Sequence, residues 1–333
     1  MESFKVKKIL FITLTNIGDV ILTTPILGAL LKHFPQAKIT VVASPQTVNF
    51  FKGNPSLCKV IIYNKFSPWH EKIKLLFKIR KEKFDMVIDL KNTLFGFCSG
   101  AKYKTPLFKR YNERNYKKNI FLNILKTLFK RYFNLNLNTE KTPFYIWASK
   151  EDKREAEHLL GECGCLGNKK LVAINPFARS DTKSWPFHNF AKLIRQIKVK
   201  GDLQIVLVGS KQDEEGCFRL AGNNESSICN LCGKTSLRVL AEVLKKCSCL
   251  ITNDSAPMHL GAAVDIPVIA IFGPTDPRKY APRGLMHKII SVNLDCQPCE
   301  KAQCIFRKKP ADCLKKISVD EVFEKVRQVL GKS

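Results

Sequence analysis

Acidic residues are scarce in this chain: 29 Asp and Glu stand against 56 Lys and Arg, a formal charge of +27 over 333 residues. Such an excess points to an anionic partner, whether nucleic acid, an anionic membrane surface or a phosphorylated substrate. A Lys-rich genome that drifts basic gives the same imbalance without any partner. Nucleic acid has little else in its favour, because no helix-turn-helix, zinc-finger or RNP pattern accompanies the charge. Apolar runs of the ~18–20 residues that a membrane span needs are missing. Lys5, Lys7 and Lys8 precede an apolar stretch as in a signal peptide, but Asn16, Gly18 and Asp19 interrupt it and no clean small-residue cleavage site follows. The first turn also lacks the three-glycine dinucleotide fingerprint, which argues against a nicotinamide enzyme. Thirteen cysteines are an odd number, and most sit singly in apolar runs, as Cys247 and Cys249 do. That distribution does not fit a secreted disulfide scaffold and suits reduced thiols in the cytosol.

What is present reads as two α/β halves. Apolar residues make up 45% of the chain and charged ones 26%, enough to bury real cores. Short β-branched runs at 8–14, 38–44, 59–63 and 85–90 alternate with helical stretches at about 19–33 and 69–81. After a break the alternation resumes, with strands at 171–175, 204–209, 249–252 and 267–272 and helices at 187–199, 237–247 and from Ser255. Continuous apolar strands separated by helices predict parallel sheets covered on both faces. The expected division is a domain at 1–155, a second at 165–315, and a terminal helix within 316–333 that crosses back onto the first half. Residues 1–150 hold 27 Lys and Arg against 8 Asp and Glu, so they carry +19 of the total charge.

The interval 101–137 departs from the alternation. Ten basic residues and one acid, Glu113, interleave with aromatics that include Tyr103, Phe108 and Tyr111. Ile120, Phe121, Ile124, Leu125, Leu128 and Phe129 recur at helical spacing, flanked by Lys117, Lys118, Lys126, Lys130 and Arg131. A basic amphipathic helix of this kind lies on an anionic membrane or grips an anionic acceptor, or else simply turns its apolar face to the core.

Three loops carry chemistry. The turn 15–19 follows the first strand, where ligands of such sheets bind; Asp19 there serves as a helix cap or as a general base. The loop 175–186 follows the first strand of the second half, and its Arg179 and Lys183 are cations of the kind that neutralise a diphosphate leaving group. The segment 252–261 runs from a strand into a helix, whose free amides suit phosphate, although Asp254 or Ser255 would cap that helix in any case. The loop 273–277, with Thr275, follows the next strand on the same edge.

Taken together, Gly18-Asp19-Val20 with Thr23 and Pro25, Lys183-x-Trp185-Pro186, Asp254-Ser255 with His259-Leu260, and Gly273-Pro274-Thr275-Asp276-Pro277 resemble the ADP-heptose:lipopolysaccharide heptosyltransferase family, in its order and spacing from Ile9 to about Ile317. The resemblance implies a GT-B architecture: two Rossmann-like domains with an active site between them, the first for an acceptor and the second for a nucleotide sugar. It implies an inverting displacement with Asp19 as base, Lys183 on the phosphates, and Asp254, Ser255, Ala256 and His259 on the donor diphosphate and sugar. Thr235 falls where the family contacts base or ribose, and Glu214 is the expected ribose acid. The partners implied are ADP-heptose and a lipopolysaccharide core acceptor, at the inner face of the cytoplasmic membrane. No Asp-x-Asp pair occurs, so Lys183 and the helix end stand where other glycosyltransferases use a metal, and no cofactor is expected. Ala178 and Arg179 occupy places where many relatives carry adjacent hydroxyls. Cys296, Cys299, Cys304 and Cys313 form a C-x2-C-x4-C-x8-C pattern, a candidate structural zinc site or a set of reduced thiols. Use of another nucleotide sugar on the same fold, or a scaffold role, are the competing readings.

Overall fold

The computed structural model describes residues 6–106, 115–199, 202–222, 228–301, 303–304 and 312–331. Phe108, Tyr111 and Glu113 of the basic stretch lie outside the described residues. The chain divides into two compact units, Met1–Trp147 and Ala148–Ser333.

The first unit is a parallel sheet of β1 (Lys8–Ile12), β2 (Lys38–Ala43), β3 (Lys59–Ile62), β4 (Met86–Asp89) and β5 (Tyr103–Lys104), in the order β3-β2-β1-β4-β5. Its strands are runs of Ile, Val, Leu and Phe buried on both faces, as a helix-covered sheet requires. Three long helices flank it: α1 (Ile17–His33), α2 (Trp69–Lys81) and α3 (Lys117–Phe133). Pro25 inside α1 has no N–H to give the carbonyl of Ile21, and the Thr24 hydroxyl donates to that carbonyl instead at 2.8 Å. Thr23 donates to Val20 O and meets the Thr13 hydroxyl at 2.9 Å, so these motif residues hold α1 against the end of β1.

Helix α3 settles one alternative left open by its sequence. Ile120, Phe121, Ile124, Leu125, Leu128 and Phe129 are all buried. The Phe129 ring meets His33 and Phe34 edge-on, with centroids 5.2 and 5.7 Å apart. The apolar stripe is therefore core and does not lie on a membrane. Of the basic flank, Lys118 is buried with its ammonium 4.6 Å from the Phe144 ring, Lys117 is half-buried, and Lys126, Lys130 and Arg131 are exposed. Phe129→Ala is expected to cost about 3–5 kcal/mol, whereas Lys130→Ala should stay within about 0.5 kcal/mol. Urea unfolding of the two variants checks the contrast.

The second unit is a parallel sheet of β6 (Lys170–Asn175), β7 (Leu203–Leu207), β8 (Ile228–Asn230), β9 (Cys249–Asn253), β10 (Val268–Ile271) and β11 (Lys288–Ile290), ordered β11-β10-β9-β6-β7-β8. Its longer helices are α4 (Lys150–Glu162), α5 (Phe187–Lys198), α6 (Glu214–Ala221), α7 (Leu237–Lys245), α8 (Ala256–Ala263) and α9 (Val319–Leu330). A capping box between Ser149 and Asp152 starts α4. The terminal helix α9 belongs to this unit, where the sequence reading had it crossing to the first half. Val322 and Val326 are buried in one core with Phe190, Leu193 and Ile197 of α5, so its apolar face is used up there.

The cysteines also depart from expectation. Cys163 pairs with Cys229, and Cys217 with Cys232, as disulfides with Cα atoms 5.2 and 6.4 Å apart. The pairing comes from the sheet, which sets β8 and the turn after it beside the end of α4 and the middle of α6. Spacing along the chain could not show it.

Candidate functional site

Ligand loops of parallel sheets gather at the strands' carboxyl ends, and each unit places polar side chains there. In the first unit Asp19 sits half-buried in the first turn of α1. It is not the cap. Asn16 holds that position in extended backbone, and its amide donates to the Asp19 carboxylate at 3.2 Å. The carboxylate is thus placed at the positive end of the helix on a loop that Ser44 fastens through the Thr15 carbonyl at 3.2 Å. Further along this edge, Asp89 is buried and accepts from the Lys91 and Thr93 amides and the Thr93 hydroxyl at 2.8–2.9 Å. Lys91 lies 5.0 Å from the Tyr63 ring centroid. Burial lowers its pKa, and Lys65 lowers it further. Sequence reasoning did not single out Asp89, Lys91 or Thr93 as site residues.

The second unit builds its site on two asparagines that end strands. Asn175 closes β6 and donates to Ser255 Oγ at 2.9 Å, Phe177 O at 3.0 Å and Thr252 Oγ1 at 3.1 Å. Asn253 closes β9; it accepts from the Trp185 amide at 2.9 Å and donates to Pro176 O at 2.8 Å. Trp185 is fully buried, and its ring N–H reaches Ile317 O at 3.0 Å. Both ends of the 176–186 loop are therefore pinned to the sheet, which brings Lys183 Nζ to 2.7 Å from Asp254 Oδ2. Thr275 donates its hydroxyl to the same oxygen, also at 2.7 Å. The Asp254 side chain is 5% exposed and that of Lys183 33%, so an enclosed carboxylate fixes an ammonium that still reaches solvent. A buried charge of this kind is stable only with such partners.

Capping does not explain either acidic or hydroxyl residue here. Ser255 holds the cap position of α8 in extended backbone, but its hydroxyl faces Asn175 and Thr252 and caps nothing. Asp254 is committed to Lys183 and Thr275. Among the described residues no side chain caps α8, so its first amides point to an anion site beside the ammonium. Ala256 opens the helix and His259 is buried one turn on. Glu214 lies exposed at the start of α6, its carboxylate against Gly233, whose φ of 73° suits glycine. Half-buried Thr235 is two residues beyond Gly233. Arg179 is exposed on the 176–186 loop. The two strand-ending asparagines were missed as site residues because a polar residue closing an apolar run looks like an ordinary strand end.

The cysteine cluster does not fit zinc. Cys296, Cys299, Cys304 and Cys313 border one cavity of about 400 Å³, yet among the described residues no three His, Cys, Asp or Glu side chains are placed to hold a metal ion. Burial pushes the Cys313 thiol up to about 11, which favours the protonated form over the thiolate a metal needs. The segment braces the 273–277 loop instead. Gln297 donates to Gly273 O, the Glu300 amide to Pro274 O at 2.9 Å, and the Glu300 carboxylate meets Lys279 at 2.9 Å. Among the described residues no helix is long and apolar enough to cross a membrane.

The profile of glycosyltransferase family 9 (heptosyltransferase) matches residues 73–309. Lipooligosaccharide heptosyltransferase 2 of Campylobacter jejuni is 28% identical over 96% of this chain and 97% of its own length. Among solved structures, a glycosyl transferase family 9 protein of Veillonella parvula superposes with a TM-score of 0.80 at 24% identity, over 98% of each chain. The Escherichia coli ADP-heptose lipopolysaccharide heptosyltransferase II gives 0.76 at 21% identity, over 98% of this chain and 99% of that one. The two doubly wound units are those of the GT-B fold.

Proposed function

The chain belongs to glycosyltransferase family 9 (heptosyltransferase), and from that premise we propose that it moves a heptose from ADP-heptose to a lipopolysaccharide core acceptor by one inverting displacement. The observation that carries the reading is the Lys183–Asp254–Thr275 cluster beside the uncapped start of α8. A departing nucleoside diphosphate gathers negative charge, and a fixed ammonium with free helix amides stabilises that charge more than it stabilises the bound donor. Asp254, itself fixed by the Thr275 hydroxyl, holds the ammonium; Arg179, Ser255, Ala256 and His259 complete the diphosphate and sugar contacts, and Glu214 and Thr235 take the nucleoside. Asp19 takes the proton from the attacking hydroxyl. Phosphorylated core sugars and an anionic leaflet suit the basic first half, and the proposed location is peripheral, on the cytoplasmic face of the inner membrane.

The test is release of the donor's nucleoside diphosphate (ADP from ADP-heptose) by purified protein given ADP-heptose, or other nucleotide sugars, with and without deep-core or heptose-bearing lipopolysaccharide. Release that needs both ADP-heptose and an acceptor is the expected result. Turnover of a different nucleotide sugar alone would remove the heptose and leave the mechanism. A folded protein that turns over no donor would overturn the reading.

A further inference from the structure

The first unit carries an apolar ridge that its own core does not use. On α2 only Ile79 is buried; Leu75 and Leu76 lean half-buried on the same core, beside Phe84 and Phe95. On the outward side Trp69, Ile73 and Phe77 stand one turn apart, exposed by 74%, 41% and 67%, and Phe66 just before the helix is 81% exposed. Isolated exposed apolar residues are ordinary, but three large ones in a row on one helix face, with a fourth just before the helix, are not. The row is set in positive charge. Residues 65–81 contain Lys65, Lys72, Lys74, Lys78, Arg80 and Lys81 against the single acid Glu71. Arg80 continues the ridge by one turn, and Lys74 and Lys81 run along its margin. Among the described residues none of these six cations forms an ion pair.

We propose that α2 and Phe66 form the surface by which this protein docks on an anionic lipid bilayer. A short helix with aromatic residues on its outer ridge and lysines beside them lies in the plane of a membrane interface. Its rings enter the acyl boundary and its ammonium groups reach back to the lipid phosphates. Charge selects the occupant. A second copy of this +27 chain would add like charge, whereas an anionic leaflet carries both the compensating charge and an apolar interior for the rings. The surface is separate from α3, whose apolar stripe is buried. Its purpose rests on the glycolipid-acceptor reading above, because docking here brings the enzyme to a substrate that cannot leave the membrane.

The experiment is flotation of the whole protein with vesicles of phosphatidylcholine alone or with about one third phosphatidylglycerol. Wild type is expected to float with the anionic vesicles only, and to release them as salt is raised. Trp69→Ser/Phe77→Ser should weaken binding about tenfold for each ring lost, and Lys74→Ser/Lys81→Ser about fivefold for each cation. The lysine pair guards against misfolding, since neither side chain is buried. All variants should release ADP on a deacylated, water-soluble acceptor as wild type does. Equal flotation of wild type and both variants, or no flotation of wild type, overturns the proposal. A wild-type dimer that Trp69→Ser/Phe77→Ser splits, with no vesicle binding, assigns the ridge to a second copy and also overturns it. If vesicles bind as expected and wild type never releases ADP, the transfer reading falls and the docking surface stands.

Discussion

Lys183→Ala should lower kcat by about a hundred- to a thousandfold with a smaller effect on donor affinity, the loss expected when one fixed group that meets developing charge is removed. The ammonium sits 2.7 Å from a carboxylate that is itself nearly enclosed, so its position is set before any donor arrives. That preorganisation is what a flexible surface lysine lacks, and it is why the effect should appear in the chemical step. The substitution has a second consequence. It leaves Asp254 charged and buried with only the Thr275 hydroxyl, so the variant should also lose stability, by an amount tempered by the exposure of Lys183.

The two consequences can be separated. Adding Asp254→Asn to Lys183→Ala removes the orphaned charge while keeping an oxygen for Thr275 to donate to. Stability should return toward wild type and the rate should not. A thermal melt and an ADP-release assay on the single and double variants read the two effects independently. Recovery of the rate along with stability would mean that Lys183 serves only to neutralise Asp254, and the phosphate role would be lost.

Much of the fold was legible because both sheets are parallel and buried, so their strands are written as continuous apolar runs. Helix α2 and helix α9 begin and end where their periodicity does, at Trp69 and Lys81 and at Val319 and Leu330. Less legible were β8 and β11, three residues each at the margins of the second sheet, which are too short to show a pattern. The amphipathic stretch 117–133 could be identified as a helix, but its direction could not. A stripe that faces core and one that faces lipid have the same spacing, and only the presence of Phe34 and His33 opposite Phe129 decides. For the candidate site the motifs named the loops, while the contacts that aim them came from elsewhere. The bonds of Asn175, Asn253 and Trp185 could not be read from the motifs, since five of them reach partners 68 to 132 residues away. The disulfides were illegible for the same reason.

Asp19→Asn should lower kcat by about a hundred- to ten-thousandfold, the range for loss of a general acid–base group, with almost no change in melting temperature. The stability expectation follows from how little the fold asks of the side chain. Its carboxylate accepts a hydrogen bond from Asn16 at 3.2 Å, and an amide in its place can still accept through its oxygen. The variant would lose the favourable interaction of a charge with the start of α1, worth about 0.3–1 kcal/mol at an exposed site, and nothing in the core depends on it. Asp19→Glu is the more searching variant, because it keeps the base and moves it by one methylene. A partial loss with Glu and a near-complete loss with Asn would fit proton abstraction, where position and basicity both count. Equal loss in both would fit a carboxylate that orients the acceptor through a fixed hydrogen bond, and a wild-type rate in Asp19→Asn would return Asp19 to the role of a helix-terminus charge.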